Sequence, residues 1–352
     1  MLNNLTGLRF YAALWVFLYH FFPVYTSLSK IDFFEIGYLG VDVFFVLSGF
    51  ILTYVYYHKF FINPLTLRDY WNFVVKRFAK IYPLHFIITL IFIPVAYIAK
   101  YAFHQESLKI YPDTLLQNFL MIHSWGTTKD LSWNFPSWSI SAEWFAYLFL
   151  FAPLALVYKI RKSVLIFLGI SVVFSFVIYW LGIPDFTLDR YTMNGLPRIV
   201  PEFILGVLIG LVKIKFDLKK REASLLFLLS VLFLVFSFSY DFYFHQFCIF
   251  GFTGIILSLS YNTYFDFLFS SKQLIYLGNI SFAFYLTQFL SLIIYEQLFR
   301  ILFSDFQFSY AFVIQFSMAF LINFIFAAFA YRYFEEPMRL LVVKKLIKNT
   351  PK

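Results

Sequence analysis

Long apolar stretches recur from one end of the sequence to the other, most of them close to the ~20 residues a helix needs to cross a bilayer. They fall near 5–28, 37–57, 82–103, 136–158, 163–182, 198–212, 222–240, 246–268, 274–299 and 308–332, each bounded by charged or turn-forming residues. The pattern predicts an all-α, polytopic membrane bundle of about ten transmembrane helices, although 198–212 is short for a span. The longest connection, 104–135, carries a semi-apolar stretch at Leu115–Met121. That stretch is too short to span, so it is expected to lie against the bundle as a re-entrant or interfacial helix. No repeat, low-complexity tract or soluble appendage interrupts the pattern. Residues 1–340 read as one membrane domain, followed by a basic cytoplasmic tail at 341–352.

Composition agrees with the pattern: 61% of the 352 residues are hydrophobic and 13% charged, too few charges to cover a soluble domain of this length. Phe alone contributes 53 residues, a density suited to lipid-facing surfaces and interfacial belts. The formal net charge of +9 would point to nucleic acid in a soluble protein, but here topology accounts for it and no nucleic-acid partner is expected. With the N-terminus inside, twenty Lys and Arg fall on the cytoplasmic side and seven on the other. This positive-inside asymmetry places both termini in the cytoplasm. The single cysteine, Cys248, excludes an internal disulfide. No cleavable signal peptide is expected, because the first apolar run is too long and has no basic residue before Arg9.

Ionisable groups within spans are costly and therefore functional candidates. Arg9 and His20 are eleven residues apart on the first helix, on nearly the same face and separated by about 16 Å of rise. Counting rise from the helix ends puts His20, Asp42, Glu143, Glu202 and Gln288 at one level in the outer half of the bilayer. A second, cationic level lies at the inner face: Arg9, Arg68, Lys76, Arg77 and Lys80 with the C-terminal basic residues. Positive-inside topology alone can produce that rim. Joined to a buried His/carboxylate layer, it also suits an anionic cytosolic donor that sends a reactive arm into the membrane. The other histidines, His58, His85, His104, His123 and His245, show no metal-ligand spacing, and no metal is expected.

Six segments in series carry a family resemblance. Leu5-Thr6-Gly7-Leu8-Arg9 with His20 following, Gly40–Phe50, Arg77-Phe78-Ala79-Lys80-Ile81-Tyr82-Pro83, Trp138-Ser139-Ile140-Ser141-Ala142-Glu143, Gly278–Leu286 and Tyr331–Pro337 resemble, in order, the motifs of the membrane acyltransferase-3 family. The resemblance is to the stand-alone form, without the esterase-like C-terminal domain that some members carry. Two positions depart from the family pattern. Lys80 stands at the second basic position of the Arg-x-x-Arg loop, keeping charge but losing a bidentate fork. Gln288 stands where histidine is frequent.

What the resemblance implies is transfer of an acyl group, commonly acetyl, from cytosolic acyl-CoA to a hydroxyl of an extracytoplasmic glycan such as O-antigen or exopolysaccharide. The setting implied is the inner membrane of a bacterial cell, with acyl-CoA as donor substrate and no permanently bound cofactor. A sugar hydroxyl is a poor nucleophile, and His20 is the expected general base or transient acyl carrier. Glu143 or Asp42 would orient it, and Arg9, Arg77 and Lys80 would hold the phosphates of the coenzyme. Ser139 and Ser141 are expected to pack helices. The alternative class is a transporter or flippase of an envelope intermediate, its charges lining a substrate path. That class predicts paired Gly/Pro-broken segments, which the sequence lacks.

Overall fold

A computed structural model describes residues 2–25, 32–104, 108–163, 165–180, 195–239, 247–303 and 311–348. Among the described residues there is no β-strand. The helices are α1 (Asn3–Tyr25), α2 (Gly40–Tyr56), α3 (Leu67–Tyr101), the short α4 (Leu115–Phe119), α5 (Trp138–Phe145), α6 (Phe151–Arg161), α7 (Leu165–Trp180), α8 (Leu196–Lys215), α9 (Lys220–Phe238), α10 (Cys248–Leu259), α11 (Lys272–Phe303), α12 (Ala311–Ala330) and α13 (Glu336–Lys348). A helix runs through each of the ten expected stretches.

Six of the helical segments are long and apolar enough to cross a membrane by length and composition: Phe33–Ile62, Leu67–Tyr101, Phe135–Arg161, Lys220–Phe238, Lys272–Phe299 and Ile314–Ile347. The expectation of ten spans therefore holds only in its coarser form, as a multi-pass helical bundle. The physical reason lies in the remaining helices. α7 and α10 are short, at 16 and 12 residues, and α1 and α8 carry the polar groups Arg9, His20, Arg198 and Glu202.

Burial sorts the helices into an inner and an outer set. In the segments containing α2 and α11, 78% and 72% of the apolar window is buried, against 33% for α9 and 22% for the segment spanning α12 and α13. α9 turns Leu225, Leu228, Leu229, Leu232, Val235 and Phe236 outward. An apolar face of that extent belongs against lipid. One close crossing joins α2 to α8. A Cβ on Gly206 would lie 2.1 Å from the Val46 carbonyl oxygen, and one on Gly49 would lie 2.2 Å from that of Phe203. Only glycine allows backbones this close, the usual device where helices pack without a hydrophobic driving force. α11 and α12 are joined instead by polar contacts. Asn323 Oδ1 accepts from Thr287 (2.8 Å) and Ser291 (2.9 Å), and its Nδ2 donates to the Phe284 carbonyl at 3.1 Å.

The connection between α3 and α5 is re-entrant. It starts beside the end of α3, where Lys100 Nζ donates to the Leu108 carbonyl at 3.4 Å. It then descends until the Asn118 carbonyl meets His85 Nε2 at 2.8 Å. His85 lies 16 residues before the end of α3, or about 24 Å of helical rise. The chain climbs back to pair Trp133 Nε1 with the Tyr111 carbonyl at 3.2 Å. It turns inward again at Phe135–Ser137 to start α5. Ser141 ties α5 to this hairpin by accepting from Ser124 N–H (3.1 Å) and donating to the Met121 carbonyl (2.9 Å).

Candidate active site

Three cations expected from sequence do converge. Arg9 from α1 and Arg77 and Lys80 from α3 line both a polar vestibule of about 480 Å³, which also contains Lys76 and Arg339, and a narrower inner cavity of about 180 Å³. The two spaces share these side chains and so lie on either side of them. Their charges are not equivalent. Lys80 is paired with Glu335, a carboxylate with 1% exposure. Removing either member of such a pair strands a buried charge. Arg9 and Arg77 form no ion pair within 4.0 Å among the described residues. The Arg77 guanidinium lies 5.8 and 6.0 Å from the rings of Tyr56 and Tyr147, and its buried Nε has no acceptor. Two guanidinium groups are thus available to an anionic ligand, whereas Lys80 must first leave Glu335 to join them.

At the head of the inner cavity sit Ser48 of α2 and Glu143 of α5, with Tyr147 of the π-helical turn Ala146–Leu150 that follows α5. Ser48 Oγ and the Tyr147 hydroxyl both donate to Glu143 Oε1. A second π-turn, Tyr331–Glu335, carries the partner of Lys80. Such turns re-aim side chains away from the regular helical face and are frequent at functional sites.

One turn further out on each helix the cavity is closed. Phe44 precedes Ser48 by four residues, Ser139 precedes Glu143 by four, and the Tyr285 ring lies 6.1 Å from that of Phe44. The Tyr285 hydroxyl contacts Ser139 Oγ and the Pro136 carbonyl, both at 2.8 Å. Asn134 Nδ2 donates to the neighbouring Leu286 carbonyl at 3.0 Å. The re-entrant hairpin thus latches onto α11 and forms a septum. Gln288, one turn beyond Tyr285 on α11, stands beside His20. His20 Nδ1 and both polar atoms of the Gln288 side chain are buried without a hydrogen-bond partner among the described residues.

The single His/carboxylate level expected from sequence is therefore divided in three, and neither Glu143 nor Asp42 orients His20. Glu143 lies about 10 Å nearer the vestibule than His20 by helical rise along α5 and α11. The outer end of α5 had been taken as the membrane surface, but the re-entrant hairpin has already descended before that helix begins. Asp42 accepts from Arg198 Nε at 2.6 Å, and Arg198 also donates to the Tyr38 carbonyl at 2.9 Å. Glu202 lies 4.0 Å from the same guanidinium, which is flanked by the rings of Tyr38 and Trp138 at 5.4 and 5.3 Å. This buried cluster ties α2 to α8. The group beside His20 is Gln288, for which no acid–base role was expected. Ser48, Tyr147, Tyr285 and Glu335 were not singled out in the sequence. The available signals were the Ser48 hydroxyl in the middle of a mostly apolar helix and a carboxylate, Glu335, placed near basic residues.

A family model described as an acyltransferase domain matches residues 2–332. Among curated proteins, the chain is 31% identical to acyltransferase MdmB of Streptomyces mycarofaciens, over 60% of this chain and 57% of that protein. It is 27% identical to peptidoglycan O-acetyltransferase OatA of Listeria monocytogenes, over 51% of this chain and 29% of that protein. Identity to a putative O-acetyltransferase, SACOL0978, of Staphylococcus aureus is 24%, over 97% of this chain and 58% of that protein. The match thus spans less than two thirds of each of these relatives. No solved structure matches the chain. With the family model covering nearly every residue that forms the vestibule, cavity and septum, the chain belongs to the acyltransferase-3 family.

Proposed function

We propose that this chain is a membrane O-acyltransferase that moves an acyl group, acetyl in the first instance, from cytosolic acyl-CoA to a hydroxyl of an extracytoplasmic glycan. The observation that carries this reading is that the cationic vestibule and the inner cavity share Arg9, Arg77 and Lys80, and that the cavity reaches Tyr285, one turn before the Gln288 that stands beside His20. Arg9 and Arg77 bind the coenzyme phosphates as charge-assisted hydrogen-bond donors, and Lys80 joins them on leaving Glu335. The slender pantetheine arm occupies the inner cavity and carries the thioester towards the septum. Beyond it, His20 takes the proton of the acceptor hydroxyl, with Gln288 holding that hydroxyl or the imidazole in place. In this reading the bundle has ten spans, both termini in the cytoplasm, and sits in the inner membrane of a bacterial cell.

The printed name of one relative, peptidoglycan O-acetyltransferase, supports a glycan acceptor. The decisive experiment is mass spectrometry of envelope glycans from cells with and without this protein. One glycan is expected to be lighter by a single acyl group per modified sugar when the protein is missing. Unchanged glycans, together with failure of the purified protein to bind acyl-CoA, would refute the reading and favour a transporter.

A further inference from the structure

Hydroxyl side chains in this bundle follow a common habit. Thr89, Ser224, Ser230, Ser237 and Thr253 each donate to the backbone carbonyl four residues earlier, at 2.6–2.9 Å. That bond satisfies the hydroxyl within its own helix. Ser48 departs from it. Its Oγ donates across to Glu143 Oε1, and both side chains line the inner cavity. The same cavity holds Arg9 and the unpartnered Arg77 Nε. A hydroxyl bonded to a carboxylate, inside the cavity that would receive the donor's reactive arm, is the arrangement of an activated nucleophile with its base.

We propose that Ser48 is the residue that accepts the acyl group from the donor thioester, with Glu143 as its base. The proposal rests on the acyltransferase reading of the site and adds a covalent intermediate to it. In the first half-reaction the Ser48 Oγ–H proton passes to the Glu143 carboxylate while Oγ bonds to the acyl carbon. The carbon–sulfur bond breaks, and the departing thiolate takes the proton from Glu143, releasing CoA as its thiol. Tyr147 donates to the same Glu143 oxygen as Ser48 and is a positioning residue. In the second half-reaction the acceptor oxygen, admitted past Tyr285, bonds to the acyl carbon and the Ser48 ester bond breaks. Glu143 takes the acceptor's proton and passes it to the departing Ser48 Oγ, so on this route His20 holds the incoming acceptor rather than deprotonating it. The cycle neither gains nor loses a proton and requires no further reactant. An ester on Ser48 also shortens the journey for the donor, since the thioester need not pass the septum.

The test uses the full-length protein in detergent with radiolabelled acetyl-CoA and no acceptor, quenched in acid and mapped by peptide mass spectrometry. One acetyl group is expected on the peptide containing Ser48, chased off when a hydroxyl acceptor is added. Ser48→Ala is expected to lose the label and to lower transfer by about 10³-fold or more while retaining donor affinity. Ser48→Cys keeps the volume and is expected to trap a thioester that neutral hydroxylamine releases. Glu143→Gln is expected to slow labelling without changing its position. Label on His20 or another residue, or Ser48→Ala transferring acetyl at the wild-type rate, overturns the role of Ser48 and leaves the acyltransferase reading standing. A wild-type protein that neither binds nor cleaves acetyl-CoA overturns both.

Discussion

The charge cluster between α2 and α8 yields a quantitative test of what Asp42 does. Among the described residues Arg198 is the one cation paired with two carboxylates, Asp42 at 2.6 Å and Glu202 at 4.0 Å, and the side chains of all three are at most one tenth exposed. Replacing Arg198 by Met fills its volume but leaves both carboxylates buried without their partner. Stranding one buried charge costs about 3–5 kcal/mol, so Arg198→Met is expected to destabilise the folded protein by at least that amount. Asp42→Asn is milder, because the amide oxygen still accepts from the guanidinium and Glu202 still neutralises it. The expected cost is about 1–3 kcal/mol. In the double variant the orphaned Asp42 charge is gone, so the combined cost is expected to fall short of the sum of the singles by about 1–3 kcal/mol. Denaturant unfolding of the three variants in one detergent, followed by tryptophan fluorescence, measures this coupling. Costs that add to within about 0.5 kcal/mol would show that the two side chains do not interact. The reading of Asp42 as an interhelical tie would then fail.

Other outcomes follow from the same geometry. Arg77→Ala is expected to weaken acyl-CoA binding about 10- to 100-fold in calorimetry, the range for losing a charge-assisted contact; unchanged affinity would remove Arg77 from the donor site. His20→Ala is expected to lower acyl transfer by about 10²–10⁴-fold with donor affinity unchanged, and full transfer would exclude it as the base. Gly206→Val drives a side chain into the Val46 carbonyl and is expected to cost about 3 kcal/mol or more, read as loss of the folded monomer in size-exclusion chromatography; wild-type yield and melting would contradict the α2–α8 crossing. Asn323→Leu leaves the Thr287 and Ser291 hydroxyls without their shared acceptor and is expected to destabilise the protein by about 1–2 kcal/mol in the same unfolding assay; an unchanged midpoint would mean that this network does not hold α11 to α12.

Legibility differed from feature to feature for physical reasons. Helices lie where apolar runs predicted them, because an apolar run long enough to span satisfies its backbone only as a helix. The convergence of Arg9, Arg77 and Lys80 was readable because all three lie near one end of their apolar stretches, where depth is counted over few residues. Glu143 was placed at the wrong level because that counting assumes a helix begins at the membrane surface, and α5 begins at the foot of a re-entrant hairpin. Depth and charge sign along the sequence do not show that Arg198 of α8 meets Asp42 of α2. The π-turns carrying Tyr147 and Glu335 leave no trace in hydrophobic periodicity. Ser48 was passed over because a hydroxyl in an apolar helix ordinarily bonds to its own backbone.

The septum formed by Tyr285, Ser139 and Pro136 also bears on bioenergetics. A membrane that stores a potential cannot tolerate an open aqueous bore, since each elementary charge leaking across dissipates about 2.3 kcal/mol per 100 mV. The vestibule is cationic and wet enough to hold a polyanion, but the path narrows to a plug of aromatic ring and backbone before it reaches the far side. In the proposed reaction only the acyl group goes on, and it is electrically neutral. The coenzyme, with its phosphates and thiol, stays on the side from which it came. Transfer of this kind does no work against the field and draws none from it, so its rate should be indifferent to whether the cell is energised.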